Sequence, residues 1–448
     1  MRIMLGIPFA LSKIAEAIGG EKNIDSDPII GYITTDTREA LEGDLFIALK
    51  GINYDGNNFI NEAIKKGCYT VSYSPGSSII CKNTKAALLY FAEYYLQNLP
   101  IILYKIAITG SVGKTTTKEF LKILLSEKYN VHATEGNHNN EIGFPLSILS
   151  AKPEAQILIM EMGMNHPGEI SKMSKCLKPD LAIITNVGTA HIGNLGSREN
   201  IAKAKLEVLE GMTDGQLIIP YDEPLLKKSE QNMHFSHTNS EAELFVEKRE
   251  DFLKIYYKGE LFCRSSFSLK EEHHLKCLLP AIAAAISTGL SRDEMNRGIS
   301  SVSDVNTRQK HIDKEAYHFI ADYYNASRES VLAFIKAACE RMVCGKKHLL
   351  LGDILELGRF SEEIHYEIGT RISPDYFGYI FLFGSEVKYI ASGAIGSGFP
   401  RERIIFNPHL SRPEITADQI KYFCQTGDTI FMKASRAIRL ERVIGCFS

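Results

Sequence analysis

The chain has 448 residues, which is too long for one ordinary hydrophobic core, so we expect about three domains. Its content of 44% hydrophobic and 23% charged residues is typical of a soluble globular enzyme. The formal net charge of -3 argues against a protein that binds nucleic acid or an anionic membrane surface.

The cysteines and the amino terminus point to a reducing compartment. The nine cysteines are scattered, with no CxxC pair and no spacing typical of a zinc site. Residues 1–20 lack the basic start, the long apolar run and the cleavage site of a signal peptide. No stretch approaches the roughly 20 apolar residues that span a bilayer. We therefore expect a cytoplasmic protein with no membrane insertion.

The first predicted unit covers residues 1–98 and alternates short strands with polar turns. Asp36 and Arg38 flank one of these turns, and read alone they favour a structural ion pair over a ligand site. A helix is predicted over residues 59–66, and it ends at Gly67 in the position after a helix that glycine prefers.

A phosphate-binding loop organises the second predicted unit, which covers residues 99–308. A short apolar strand leads into TGSVGKTT (residues 109–116), and an amphipathic helix follows. The two glycines let backbone N–H groups point at an anion at the positive end of the helix. Lys114 would reach the terminal phosphates of a nucleotide, and the Thr115 hydroxyl would hold Mg²⁺. Because Ile108 stands where the general pattern has its first glycine, the match is to the shorter TGxxGKT form, and the alternative is an ordinary strand-turn-helix connection.

Polar residues follow the next apolar runs of this unit. Glu161 comes directly after the run 157–160, where a carboxylate could ligate Mg²⁺, although an ordinary strand-end charge explains it equally well. His191 follows a strand predicted over 181–185, and a lone histidine is more often a structural hydrogen-bonding group than a ligand. The glycine-bracketed loop 136–143 is equally consistent with ordinary loop chemistry.

Lys205 lies on the apolar side of a helix that begins at Arg198. A lysine in such a position usually extends its amine to solvent. A buried lysine would instead have a lowered pKa and could react with CO₂ to give a carbamate, which can ligate a hard metal ion. Beyond it we expect strands and turns between 240 and 270 and a short alanine-rich helix over 280–286.

The third predicted unit covers residues 309–448 and alternates apolar strands with helices, which predicts a small, mainly parallel, doubly wound sheet. The predicted strands cover residues 318–321, 348–351, 379–383, 403–406 and 429–432. Polar clusters follow three of them, at 322–325, 352–358 and 433–436. Since ligands bind at the carboxyl ends of strands in such folds, we expect the three clusters to line one cleft that faces the nucleotide.

Taken together, these stretches resemble the Mur ligases, ATP-dependent amide-bond ligases that build the peptide of the bacterial cell-wall precursor. The resemblance covers essentially the whole chain. Its motifs are TDTR (35–38), GDLFIALKG (43–51), TGSVGKTTTKE (109–119), EGNHNNEIGFPLSIL (135–149), EMGMNHPGEI (161–170), AHIGNLGSRENIAKAKLEV (190–208), DYYNAS (322–327), LGDILELG (351–358) and KASR (433–436). The last two are similar to the member that adds D-alanyl-D-alanine, and the DNPR signature of the diamino-acid-adding relative is missing.

The resemblance implies an α/β fold of three domains. These are an N-terminal UDP-substrate-binding α/β domain (1–98), a central ATP-binding domain with a parallel sheet like that of P-loop ATPases (99–308), and a C-terminal Rossmann-like domain (309–448) that closes over ATP and binds the incoming dipeptide. It further implies a monomer that uses ATP and Mg²⁺ in peptidoglycan synthesis. The substrates would be a UDP-N-acetylmuramoyl tripeptide, whose terminal carboxylate becomes an acyl phosphate, and D-alanyl-D-alanine, whose amine attacks it.

The resemblance also assigns roles to individual residues. Catalytic roles fall on Lys114, His191, Lys205 and Arg308. The ATP-binding residues would be Thr109, Gly110, Ser111, Val112, Gly113, Lys114, Thr115, Thr116, Asp322 and Asn325. The Mg²⁺ ligands would be Thr115, Glu161, His191 and a carbamylated Lys205. The UDP group would lie near Thr35, Asp36, Thr37 and Arg38, and the dipeptide near Ser435 and Arg436.

Three departures from the family pattern limit this transfer of roles, and none of them touches the phosphate chemistry directly. Residues 272–281 read EHHLKCLLPA, with His274 and Cys277, where the family has a GxHNVxNxLAA pattern that supplies an adenine-binding asparagine. Ser327 and Arg328 replace a typical Asn-Pro pair, and Asn-Thr precedes Arg308 where glycine is common. Two alternatives stay open, namely another Mur-type ligase (diamino-acid-adding or polyglutamate-type) and a nucleotide-dependent switch without ligase activity.

Overall fold

The structure, a computed structural model, describes residues 1–51, 54–227, 232–250, 252–266, 272–302, 310–323 and 325–447. It has mixed α/β architecture with three sheets, as predicted. Contacts between residues divide the chain into two compact units. The first comprises Met1–Thr185 and the described residues within 203–269 and 276–303, and the second comprises the described residues within 186–202, 270–275 and 304–448.

The first sheet has six strands in the order β1-β3-β4-β5-β6-β2. Its elements are β1 (Arg2–Ala10), α1 (Leu11–Ile18), β2 (Glu21–Lys22), β3 (Ile29–Thr34), β4 (Leu45–Ile47), α2 (Ile60–Lys65), β5 (Tyr69–Ser72), β6 (Ile79–Ile80) and α3 (Thr84–Gln97). The helix predicted before Gly67 is confirmed as α2, and Gly67 has a φ of 76°. Because a side chain is disfavoured at this φ, glycine suits the turn there.

A buried tyrosine joins this sheet to the helices behind the second sheet, within the same compact unit. The Tyr95 hydroxyl donates to the Ala151 carbonyl at 2.5 Å and accepts from the Ile7 N–H at 2.9 Å. Burial raises the pKa of Tyr95 to about 12, so the hydroxyl keeps its proton. A Cβ at Gly6 would lie 2.0 Å from the same Ala151 oxygen, so the close approach requires glycine.

The second sheet has nine strands in the order β15-β14-β13-β12-β11-β10-β7-β9-β8. The strands are β7 (Tyr104–Thr109), β8 (Val131–Ala133), β9 (Ile157–Glu161), β10 (Leu181–Ile184), β11 (Gln216–Pro220), β12 (Met233–Ser236), β13 (Leu244–Lys248), β14 (Phe252–Tyr257) and β15 (Glu260–Ser266). It is parallel from β8 to β13, and β14 and β15 add an antiparallel edge. The central strands β7, β9 and β10 are rich in buried aliphatic residues, as expected for a sheet covered on both faces.

The helices associated with this part of the chain are α4 (Lys114–Ser126), α5 (Gly143–Leu149), α6 (Glu169–Leu177), α7 (Ile192–Leu195), α8 (Arg198–Leu206), α9 (Glu272–Ser287) and α10 (Arg292–Val302). The short helix predicted over 280–286 was wrong in extent, because α9 begins eight residues earlier and contains Pro280. A proline inside a helix removes one backbone donor, but buried packing of Leu275, Leu278 and Leu279 holds the preceding turns in place.

The third sheet has the order β16-β17-β21-β18-β19-β20 and is parallel except for β16, which confirms the predicted doubly wound sheet. Its elements are β16 (Lys310–Lys314), β17 (Tyr317–Asp322), α11 (Arg328–Glu340), β18 (Lys347–Gly352), α12 (Ser361–Thr370), β19 (Ile380–Phe383), α13 (Lys388–Gly396), β20 (Ile404–Asn407), α14 (Pro413–Phe423), β21 (Thr429–Lys433) and α15 (Glu441–Ile444). The predicted domain boundary at residue 98 falls between α3 and β7, and the one at 308 lies outside the described residues. Both stay predictions.

All nine cysteines are free thiols in the structure. Within the described part of the chain, no helix combines the length and the apolar character needed to cross a membrane.

A buried polar network stabilises the third sheet. His348 Nε2 lies 2.9 Å from Asp428 Oδ2, and its Nδ1 accepts from the Tyr379 N–H at 3.0 Å. Asp428 also accepts from the Lys346 N–H at 2.8 Å. The Cys424 thiol lies nearby, and burial raises its pKa to about 12. Since both ring nitrogens of His348 have partners and the thiol stays protonated, we interpret this group as structural rather than as a metal site.

Buried histidines should make the stability of the protein fall at acidic pH. Burial lowers the pKa of His365, whose Nε2 accepts from the Ile354 N–H at 3.1 Å. A histidine with a folded pKa below its unfolded value of about 6.5 contributes stability that is present above that value and is lost as the pH falls through the folded pKa. We expect the melting temperature to drop below about pH 6.5, and His365→Gln to flatten that drop. The exposed His409→Gln variant is the control, and equal pH profiles for the two variants would contradict the prediction.

Candidate active site

The phosphate loop has the predicted strand-loop-helix geometry, between the end of β7 and the start of α4. Gly110 has a φ of 146°, and a Cβ there would lie 1.9 Å from Oγ1 of Thr185. Gly113 has a φ of 84° and directly precedes the first helical residue. The Thr185 hydroxyl donates to the Val112 carbonyl at 2.7 Å and fixes the loop from the neighbouring strand end. Glycine is therefore required at 110 by both backbone angle and close approach.

The Glu161 carboxylate binds two polar groups at the end of β9. The Thr115 hydroxyl donates to its Oε2 at 2.7 Å, and Asn139 Nδ2 donates to its Oε1 at 2.7 Å. Glu161 is 1% exposed, and β9 pairs with β7 so that Glu161 lies opposite Ile108. An ordinary strand-end charge would face solvent, so the geometry favours a ligand role.

Asn139 is a site residue that we did not single out from the sequence. Its backbone carbonyl also accepts from the Gly163 N–H at 2.7 Å, so it links the 136–143 loop to the chain beyond β9. The signal available in the sequence was three asparagines between two glycines, which is also common in surface loops.

The donor set around Glu161 fits a magnesium ion. A buried carboxylate and a threonine hydroxyl are hard oxygen ligands of the kind that Mg²⁺ prefers. Lys114 lies in the same loop, where its Nζ donates to the Gly110 carbonyl at 2.7 Å. These groups give the first unit a carboxylate and a lysine at the amino terminus of one helix, which is an arrangement suited to a metal-bound phosphate.

Lys205 is buried in the structure and does not extend its amine to solvent, as a lysine in such a position usually does. Its side chain is 1% exposed, in contrast to the exposed Lys203 on the same helix. Burial, together with the nearby charge of Lys114, lowers the pKa of Lys205 well below its usual value. The lowered pKa favours the neutral form of the amine, which can act as a nucleophile.

His191 lies on a segment that packs with the second compact unit. Its φ is 63°, and its Nδ1 lies 2.5 Å from Glu356 Oε2. Two further contacts hold this segment, since the Thr189 N–H donates to Glu329 Oε1 at 2.9 Å and the Gly193 N–H donates to the Glu356 carbonyl at 3.0 Å. The segment 186–202 is thus fixed to the elements that follow β17 and β18.

The three polar clusters of the third sheet line one cavity of about 180 Å³, as predicted. Its lining residues include Asn325, Glu356, Ser435 and Arg436, together with His191. Whether the cavity faces a nucleotide stays a prediction.

The polar groups around this cavity are held by contacts within the third sheet and the loops that follow its strands. The Lys433 ammonium is buried and lies 2.6 Å from Asp322 Oδ2, and it also donates to the Asn325 carbonyl at 3.2 Å. The Ser435 hydroxyl accepts from the Leu355 N–H at 2.9 Å. Asp322 therefore anchors the buried lysine of KASR in addition to any role toward ATP.

Asp353 of LGDILELG has a structural role. It is 3% exposed, and its carboxylate accepts from the backbone N–H groups of Glu386 and Val387, both at 2.9 Å. A Cβ at Gly384 would lie 2.4 Å from this carboxylate, so the motif fixes the turn after β19.

The Ser327-Arg328 departure has a structural reason. Ser327 caps α11 in a reciprocal capping box with Ser330. The Arg328 guanidinium donates through Nε to Glu367 Oε2 at 2.6 Å and so pairs α11 with α12. A serine cap and an ion pair therefore replace the Asn-Pro start that is typical of the family.

The stretch 272–281 forms the first turns of α9. His274 is buried, and the Cys277 carbonyl accepts from the Thr117 hydroxyl at 3.1 Å. A Cβ at Gly113 would lie 3.0 Å from the Cys277 sulfur, so Cys277 packs directly against the phosphate loop.

Two further sets of predicted site residues are the residues of the TDTR motif and Arg308. Arg38 forms the predicted ion pair with Asp36, with Nε 2.9 Å from Oδ1, and its hydrogen bond lowers the pKa of the Asp36 carboxyl. The Arg38 side chain is exposed, and Thr37 is buried. Arg308 and the two residues before it lie outside the described residues.

Comparison with known proteins agrees with the motifs. Residues 108–285 match the model of the Mur ligase middle domain. The UDP-N-acetylmuramoyl-tripeptide--D-alanyl-D-alanine ligase of Bacillus subtilis is 35% identical over 93% of both chains. Among solved structures, MurF from Acinetobacter baumannii is similar with a TM-score of 0.85, 26% identity and coverage of 99% of each chain. MurF from Thermotoga maritima in complex with ADP is similar with a TM-score of 0.77, 29% identity and coverage of 92% of this chain and 96% of that one.

These similarities extend over nearly the whole chain. The chain therefore belongs to the Mur ligases, in the MurF family of UDP-N-acetylmuramoyl-tripeptide--D-alanyl-D-alanine ligases.

Proposed function

We propose that this protein joins D-alanyl-D-alanine to a UDP-N-acetylmuramoyl tripeptide at the expense of ATP, through an acyl phosphate. The observation that carries the proposal is the buried Glu161 carboxylate hydrogen-bonded to the Thr115 hydroxyl of a phosphate loop. Similarity to MurF over the full length supports the choice of substrates. The other Mur-type ligases and a simple nucleotide switch have no comparable support.

Phosphoryl transfer in this reaction brings two anions together. We propose that Lys114 binds the γ-phosphate, that Thr115 and Glu161 hold one Mg²⁺, and that His191 serves a second Mg²⁺. The metal ions would neutralise charge on the phosphates. Arg308 would add a second positive charge by its similarity to the family arginine. The carboxylate of the tripeptide then attacks the γ-phosphorus, and ADP leaves.

Lys205 is proposed to act as a carbamate. The neutral amine of a buried lysine can attack CO₂, forming an N–C bond and releasing a proton, and the new carboxylate can ligate a metal ion. Its burial and its lowered pKa support this role. A charged ammonium at the same place would repel both Lys114 and the metal.

The third-sheet cavity is proposed to receive the dipeptide. Ser435 and Arg436 line it, and the Arg436 side chain is largely exposed and can meet a carboxylate. Asn325 and Asp322 are proposed to lie on the ATP side, and residues 35–38 near the UDP group. We further propose three domains with boundaries at 98 and 308, and a cytoplasmic monomer.

The proposal is tested by measuring phosphate release from ATP in the presence of the tripeptide, in its lysine and its diaminopimelate forms. Release should require D-alanyl-D-alanine, and the product mass should match the pentapeptide. Release without any amine acceptor would indicate a nucleotide switch. Release with a diamino acid as the acceptor would indicate a different Mur ligase.

A further inference from the structure

A second lysine of the phosphate-loop helix is buried without an evident role in binding phosphate. Lys118 is 1% exposed and ranks among the largest fully buried side chains that the structure describes. Its ammonium lies 2.8 Å from Glu119 Oε1 and donates to the Thr134 carbonyl. Burying a lysine is costly even when it is paired, and an apolar side chain of similar length would avoid that cost. Its contact with Thr134 therefore calls for a functional reason.

Thr134 connects this lysine to the metal-site carboxylate. It follows β8, is 1% exposed, and its N–H donates to the Ile159 carbonyl at 3.0 Å, which extends the pairing of β8 with β9. Its hydroxyl oxygen accepts from the Glu161 N–H at 2.9 Å. The backbone of Glu161 is thus held by the residue whose carbonyl Lys118 binds.

These contacts connect Glu161 to helix α4 by two routes. Thr115 and Lys118 are three residues apart and so lie on the same face of α4. Thr115 binds the Glu161 carboxylate, Thr134 binds the Glu161 backbone, and Lys118 binds Thr134. The carboxylate and the backbone N–H of Glu161 are therefore both connected to the same turn of α4.

We propose that Lys118 and Thr134 form a brace that fixes Glu161 relative to Thr115 and thereby sets the affinity of the site for a divalent cation. Lys118 is a positioning residue in this proposal, because it acts through Thr134 and does not contact phosphate or metal. Groups that orient a metal ligand commonly change metal affinity by about 10- to 100-fold when they are removed. The inference rests on the proposed metal-binding function of Thr115 and Glu161.

The test measures Mn²⁺ binding to the full-length protein in the presence of ADP, by the loss of the free-ion electron paramagnetic resonance signal. Lys118→Met keeps the length of the side chain and removes the donor, and Lys122→Met changes an exposed lysine on the same helix. Thr134→Val removes the hydroxyl and keeps the shape, and Thr134→Ser keeps the hydroxyl. We expect Lys118→Met and Thr134→Val to weaken Mn²⁺ binding about 10- to 100-fold, with Lys122→Met and Thr134→Ser close to the wild type.

A second measurement distinguishes the loss of a positioning contact from the loss of the folded structure. ADP binding in EDTA should be unchanged in all four variants, because the brace does not contact the nucleotide. If Lys118→Met does not fold, the two Thr134 variants decide the question. Wild-type Mn²⁺ affinity in a folded Lys118→Met protein, or equal affinities for Thr134→Val and Thr134→Ser, would overturn the brace. Failure of the wild type itself to bind Mn²⁺ with ADP would instead refute the proposed metal site.

Discussion

Replacement of Lys114 by alanine should lower the rate of ligation about 10²- to 10³-fold and leave the protein folded. The lysine is the first residue of α4 and its amine donates to the Gly110 carbonyl of the phosphate loop, where a γ-phosphate would compete for it. Removing a cation that stabilises charge in the transition state costs several kcal/mol. Phosphate release at saturating substrates measures the effect.

The matched control for Lys114 is Lys122→Ala, which removes an exposed lysine from the same helix. Its activity should equal that of the wild type, and both variants should melt close to the wild-type temperature. A fully active Lys114→Ala enzyme would reject the assignment of this loop to phosphate binding.

Replacement of Lys205 by alanine should also lower ligation by about 10²- to 10³-fold, since it removes the proposed metal-binding carboxylate. A short carboxylate such as acetate should restore part of the activity, because it can enter the space that the buried side chain leaves. The exposed Lys203→Ala variant on the same helix is the control and should need no rescue.

A direct observation completes the Lys205 test. The wild type equilibrated with ¹³C-bicarbonate should show a carbamate carbon signal in its NMR spectrum, and Lys205→Ala should lack it. Full activity of Lys205→Ala without acetate, or the same carbon signal in both proteins, would contradict a carbamate at this position.

Much of the fold could be predicted because its strands are short apolar runs between polar turns. The five strands predicted for the third sheet are all present, with ends that differ by at most one residue. β16 was missed, because its sequence Lys-His-Ile-Asp-Lys has polar side chains at every position except Ile312 and resembles a turn. Such a strand forms because it pairs along the edge of β17, which is a tertiary effect that no local pattern reveals.

The phosphate loop could be predicted because a loop of this kind requires glycines at fixed positions. The partners of Glu161 could not, since Asn139 and Thr134 lie 22 and 27 residues before it and meet it only through the pairing of β8 with β9. The sequence likewise did not decide whether the Lys205 side chain extends to solvent or lies in the core. Its burial depends on what packs around α8, and helical periodicity gives only the side of the helix.

The contacts of segment 186–202 limit how this enzyme can be recombined with its relatives. Thr189 binds Glu329, and Gly193 binds the backbone of Glu356, although more than 130 residues separate each pair along the chain. In a chimera that takes only its carboxyl-terminal third from a relative, segment 186–202 of this chain would have to pack against that relative's residues. Gly188 illustrates the sensitivity, because a Cβ there would lie 2.8 Å from the Glu329 carboxyl carbon. A functional exchange between relatives therefore has to transfer segment 186–202 together with the carboxyl-terminal third.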